Sequence, residues 1–122
     1  ARTIAKLAHD IESEHPGRPI VILGDFNAQP SDESVKIYLR DGFNDLFANA
    51  RPGDKSAVTH ESNRRIDLML LNEAAKARMV KGSGFVLGTA ARPSGVNWRD
   101  MTTFEGYAAD HYPVSSEFRL NN

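Results

Sequence analysis

The chain has 122 residues, a net charge of −1, 40% hydrophobic and 25% charged residues, and no cysteine. This is the composition of one ordinary globular domain, so residues 1–122 read as a single domain, not as a disordered tail or a low-complexity scaffold. Without cysteine there is no disulfide framework, thiolate metal site or cysteine nucleophile, and near-neutral charge argues against binding nucleic acid by bulk positive charge.

The chain starts at Ala1 rather than Met, which reads as an end cut or processed from something longer. No basic-then-apolar signal opens it, and its longest apolar runs are far too short to span a bilayer. Ile4, Leu7, Ala8 and Ile11 recur at i, i+3, i+4 and i+7, which predicts a helix that Pro16 and Gly17 end. Pro19 to Leu23 is short, apolar at both parities and rich in branched residues, which predicts a strand covered on both faces. Gly24-Asp25-Phe26-Asn27 breaks that run. Ser31 is expected to cap a second helix, with Asp32 and Glu33 in its first turn, Val35, Tyr38 and Leu39 on its buried side, and Gly42 at C′.

Asn49 to Asn63 reads as a polar loop, and Arg65 to Leu71 as the next strand. Met79 to Leu87 predicts a further strand or bent pair, interrupted by Gly82 and Gly84. Thr89 to Ala109 reads as a long loop, of a length that is usually functional or mobile. Within Lys76 to Arg99 the charges Lys76, Arg78, Lys81, Arg92 and Arg99 are all basic. Tyr112 to Leu120 closes the chain as a strand with Val114, Phe118 and Leu120 on one face, and Pro113 makes its start irregular or places it at an edge. The order of elements is that of an α/β domain.

Three polar interruptions carry chemistry. Asp25 and Asn27 are two residues apart, so extended backbone points both to one side, where a carboxylate and an amide suit a phosphate or metal site. The plainer alternative is a turn in which the two cap local backbone. Asp67 lies inside an apolar strand, where an unpaired carboxylate costs several kcal/mol, so it needs an Arg, a His or a metal beside it. Arg65 shares its face and could be that partner, or could face substrate instead. Asp110 and His111 precede Pro113, where irregular backbone lets adjacent side chains turn to one site. Asp is a hard ligand for a divalent cation, and His exchanges protons near neutral pH.

Gly24-Asp25-Phe26-Asn27, Arg65-Ile66-Asp67-Leu68 and Asp110-His111-Tyr112-Pro113-Val114, in that order, resemble the carboxy-terminal motifs of the endonuclease/exonuclease/phosphatase family. That superfamily includes pancreatic-type DNases, abasic-site endonucleases, inositol polyphosphate 5-phosphatases and neutral sphingomyelinases. The resemblance implies a mixed, largely antiparallel sheet with helices on one face, about half of the family's four-layer α/β/β/α sandwich. It implies hydrolysis of a phosphoester by in-line attack of water, with Mg²⁺ or Mn²⁺. Asp25 is similar to the acid that protonates the leaving oxygen or positions the water, and Asn27 to the amide that grips the phosphate. Asp67 is similar to the partner of the catalytic histidine, His111 to that histidine, and Asp110 to a metal-site carboxylate, with Asp25 and Asn27 as weaker metal candidates.

Two departures stand out. The family usually has Ser where this chain has Ala109, which removes one side-chain hydrogen bond near the site. The family's amino-terminal half, with its metal-binding Glu, does not appear, so an apolar sheet face is expected to be bare and to be covered by that half or by a second copy in a homodimer. The competing reading is a catalytically incomplete half-domain that binds phosphate or a partner chain. A calcineurin-like metallophosphatase is disfavoured because its Asp-x-His and Gly-Asn-His motifs are missing. The substrate stays open among nucleic acid, lipid phosphate and sugar or inositol phosphate. His9, His15 and His60 read as solvated, with His60 the least ordinary of them, because Thr59-His60 lies where the family places substrate contacts. Trp98 with Arg99 could stack on a ring and hold phosphate, or could simply anchor the loop.

Overall fold

The computed structural model describes residues 1–51, 54–88, 92, 94–101 and 109–120. Helix α1 (Arg2–Glu14) runs into strand β1 (Val21–Asp25), helix α2 (Glu33–Arg40), the short strand β2 (Asn44–Asp45) and strand β3 (Asp67–Leu71). Helix α3 (Glu73–Arg78), strand β4 (Phe85–Val86) and strand β5 (Val114–Ser115) follow. β3 is central, with β1 and β2 antiparallel on either side of it, and β4 and β5 form a second antiparallel ladder. The architecture is thus α/β with antiparallel pairing.

The core lies between one face of the three-stranded sheet and helices α1 and α2. Leu68 and Leu70 of β3 are buried against Ala5 and Ala8 of α1 and Val35 and Tyr38 of α2, with Ile22 packed at the margin. Tyr38 is sandwiched edge-on between Phe26 and Phe43, at ring separations of 5.7 and 6.5 Å. α2 ends as its sequence predicts. Gly42 has φ 90°, its N–H donates to the Leu39 carbonyl at 3.3 Å, and the Phe43 N–H reaches the Tyr38 carbonyl at 3.0 Å. That pair of bonds closes the helix around a left-handed residue at C′.

Three expectations need correction. The N-cap of α2 is Asp32, one residue later than Ser31, and its carboxylate accepts the Gln29 N–H at 2.8 Å instead of capping the helix. The buried stripe of α1 is Ala5 and Ala8, whereas Ile4 and Leu7 are 49% and 58% exposed. Small residues let the helix approach the sheet closely, and the larger ones are turned outward. β1 is covered on one face only: Val21 and Leu23 are exposed, Leu23 at 66%. Its apolar run at both parities suits a strand buried on two sides, and here the helices supply one.

Helix α3 is absent from the sequence reading. It is six residues long and rich in alanine, so it shows no apolar stripe. Its start is nevertheless specified, because Asn72 caps it by accepting the Ala75 N–H at 2.9 Å. The same amide accepts the Ile20 N–H at 2.9 Å and donates to Glu12 and to the Arg18 carbonyl at 3.1 and 3.0 Å. One buried side chain therefore ties α1, the approach to β1 and α3 together. The loop expected over Thr89 to Ala109 falls largely outside the described residues, as do Ala108 and the side chain of Trp98.

Candidate functional site

The end of β1 and the start of β3 meet in register, with Asp25 opposite Asp67. Gly24 precedes Asp25 with φ 145°, a conformation that glycine adopts and L side chains rarely do. Beyond it the chain turns sharply at Asn27, whose φ is 47°. Asparagine tolerates this left-handed state better than most residues. The turn closes on Asp25, which accepts the Asn27 backbone N–H at 2.7 Å and its side-chain amide at 3.1 Å. Asp25 and Asn27 are therefore joined by the capped turn of the plainer reading, not by continued extended backbone, and the turn fixes the carboxylate in place.

Asp67 finds its partner in a histidine. His111 Nδ1 lies 3.0 Å from both carboxylate oxygens of Asp67. With the Nδ1 proton directed at a carboxylate, Nε2 is the nitrogen left for other work. The Asp67 hydrogen bond holds the His111 pKa above the usual imidazole range; partial burial opposes this, and the charges of Asp67, Asp110 and Asp25 reinforce it. Asp25, Asp67 and His111 each offer a ligand atom within 4.8 Å of the others. Three segments distant in sequence thus converge on one point.

A tight turn over residues 59–64 makes this convergence possible. The Thr59 hydroxyl, fully buried, accepts the N–H groups of Ile66 and Asp67 at 3.0 Å each. The Thr59 carbonyl accepts the Tyr112 N–H at 2.7 Å, and the Asp110 carbonyl accepts the Glu61 N–H at 2.8 Å. Thr59 thereby bridges the start of β3 to the Asp110-His111 segment. Arg92 forms an ion pair with Glu61 on the same turn.

Residue 60 comes to lie against the site. The His60 ring stands edge-on to His111 with centroids 4.7 Å apart, and its Nε2 is 3.7 Å from an Asp110 oxygen. Thr59 and His60 are the residues sequence reasoning underweighted. The signal available was a Thr-His pair just before a strand carrying an internal Asp.

Arg65 is not joined to Asp67. Its guanidinium donates to the Phe47 carbonyl at 2.7 Å and to Asp45 at 2.6 Å, with Asp45 almost fully buried. That pair anchors β2 to the start of β3. Asp110 is half exposed, and it joins His60 and His111 in a second cluster of metal-capable groups, which shares His111 with the one containing Asp25. Leu23, Gly24, Asp67, Met69 and His111 line a cleft of about 270 Å³, so the polar cluster opens directly onto apolar side chains of β1 and β3.

Oxygen donors at Asp25 and Asp67, with an imidazole beside them, fit a hard divalent cation, and families of this kind use one. The profile of the Endonuclease/Exonuclease/phosphatase family matches residues 1–111. No curated protein and no solved structure matches the chain significantly. A match over this much of the chain, ending at His111, shows that the protein belongs to the Endonuclease/Exonuclease/phosphatase family.

Proposed function

We propose that the protein hydrolyses phosphoesters with the help of a divalent metal, Mg²⁺ or Mn²⁺. The observation that carries this is the Asp67–His111 pair at 3.0 Å with Asp25 beside it. Asp25, tethered by two Asn27 N–H bonds, holds the attacking water and takes its proton. Asn27 is turned toward the same side and grips the phosphate. His111 is held by Asp67 in one orientation, and its raised pKa keeps the imidazolium available to donate from Nε2 to a phosphoryl oxygen. The water oxygen forms a bond to phosphorus in line with the ester oxygen, whose bond breaks. Asp25 passes the water proton to solvent and the departing ester oxygen takes one from solvent, so the step balances. The metal would be held by the carboxylates of Asp25 and Asp67, with Asn27 as a supporting candidate, and would neutralise charge developing on phosphorus; Asp110, the metal carboxylate that the resemblance implies, groups with His60 and His111 instead.

The test is Mg²⁺-dependent release of nitrophenol from bis(p-nitrophenyl) phosphate by the purified chain. Activity that disappears in His111→Ala and in Asp25→Asn supports the reading. An inert wild type, or variants as active as wild type, overturns it. Comparison of DNA, a phospholipid and an inositol phosphate as substrates then assigns the class.

A further inference from the structure

We propose that His60, Asp110 and His111 form a binding site for a borderline divalent transition ion of the Zn²⁺ class, chemically distinct from a magnesium position. The site shares residues with the proposed hydrolysis, His111 foremost, but does not depend on that reading, because it is defined by binding. One ligand atom from each of the three residues lies within 4.8 Å of the others, and all three side chains reach solvent.

Each imidazole is already held by its other nitrogen. His111 Nδ1 is engaged by Asp67 at 3.0 Å, and His60 Nδ1 by the Ser62 hydroxyl at 2.7 Å. Metal-binding histidines are commonly oriented in this way by a carboxylate or another polar group on the second nitrogen. Two imidazoles and one carboxylate make a nitrogen-rich set that suits Zn²⁺, Co²⁺ or Ni²⁺ and is poorly matched to Mg²⁺, which prefers oxygen. Three protein ligands also leave coordination positions open to water or substrate oxygen.

The hydrogen bonds define what must change when the ion binds. The Ser62 backbone N–H also donates to His60 Nδ1, at 3.1 Å. A backbone N–H can only donate, so this hydrogen bond occupies the Nδ1 lone pair and leaves the ring proton to Nε2, facing Asp110. Coordination needs the Nε2 lone pair. The proton then resides on Nδ1, where the Ser62 hydroxyl accepts it, and the exposed Ser62 N–H turns to water. The exchange costs about one ordinary hydrogen bond, small beside the binding energy of a structured zinc site.

Two readouts test this without reference to catalysis. Co²⁺ is titrated into the purified chain in millimolar Mg²⁺ while its visible d–d absorption is followed. Long-range ¹H–¹⁵N NMR of the histidines is recorded with and without Zn²⁺. Expected are a one-to-one Co²⁺ complex that Mg²⁺ does not displace and a His60 proton that moves from Nε2 to Nδ1 with Zn²⁺. His60→Phe, and His60→Gln as the variant closer in polarity, should weaken Co²⁺ binding at least about tenfold. Asp41→Asn, at the end of α2, should leave it unchanged. The absence of a Co²⁺ band, displacement by Mg²⁺, an unmoved His60 proton or equal binding by the His60→Gln variant overturns the site.

Discussion

Replacing Asp67 by Asn tests the central pair while keeping its shape. In the wild type, His111 Nδ1–H donates to a carboxylate whose oxygens are both 3.0 Å away. A hydrogen bond with a charged partner contributes about 1.5–3 kcal/mol, and with 37% of the His111 side chain exposed the lower figure, about 1.5 kcal/mol, applies. Asn removes the charge and can present its NH₂ to Nδ1, which forces the proton onto Nε2. The His111 pKa is raised mainly by Asp67, so the folded state holds the proton more tightly than the unfolded chain does. This stabilisation is fully present below the unfolded pKa of about 6.5 and is lost as pH rises through the folded value. The gap in unfolding free energy between wild type and Asp67→Asn should therefore be widest near about pH 6 and narrow by about pH 9. Urea unfolding at the two pH values measures the gap. NMR of the His111 Cε1 proton should show a lower titration midpoint in the variant. Phosphoester hydrolysis should fall by roughly two to four orders of magnitude, as when a histidine loses its orienting acid. A His111 midpoint unchanged by the substitution, or a gap that stays constant with pH, refutes the reasoning.

Three further substitutions probe the supports of the site. Asn72→Ala removes a helix cap and leaves the Ile20 N–H and Arg18 carbonyl without their partner, so urea unfolding should show a loss of about 2–4 kcal/mol. Gly24→Ala adds a Cβ that meets no neighbour within 4 Å, so its cost is backbone strain at φ 145°, about 1–3 kcal/mol; hydrolysis should fall with it because Asp25 is the next residue. Leu23→Ser changes a side chain that is 66% exposed on a strand paired on one edge only. Light scattering should show less concentration-dependent association than in wild type, with stability changed by less than about 0.5 kcal/mol.

Much of this arrangement is legible in the sequence wherever a local rule acts alone. The existence of α1 and its end before Pro16, the glycine that ends α2 and the turn at Asn27 each follow from residues within a few positions. The need of Asp67 for a partner is legible as well, since an ionised group in an apolar strand requires one. Which partner it takes is not, because Arg65 is two residues away and His111 is 44 away along the chain. Arg65 instead meets Asp45, whose near-complete burial makes it the more demanding carboxylate. His60 is hidden for the same reason: its value comes from the bond of Thr59 to Tyr112, which no local pattern announces. The exposed faces of α1 and β1 mark the opposite limit. Their apolar residues declare burial, while the described residues provide cover for only one side of the sheet.

The site and the bare face have a common origin in strand parity. Ile66, Leu68 and Leu70 alternate along the chain with Asp67, Met69 and Leu71, and on β1 Ile22 alternates with Val21, Leu23 and Asp25. Leu68 and Leu70 are buried in the helix-covered core at 3% and 0% exposure. Burial of each such side chain contributes about 1.5–3 kcal/mol, and a slip of one residue would turn both of them outward. The core therefore fixes the register, and the register aims Asp25 and Asp67 at each other across the opposite face. The carboxylates carry no packing energy that could hold them there. A cavity at Leu70 should accordingly be felt at a site it does not touch. Leu70→Ala is expected to cost about 2–5 kcal/mol, and the NMR signal of His111 should broaden or shift as the β1–β3 register loosens. A His111 signal indifferent to that loss would mean that the turn at Thr59, rather than the core, positions the pair.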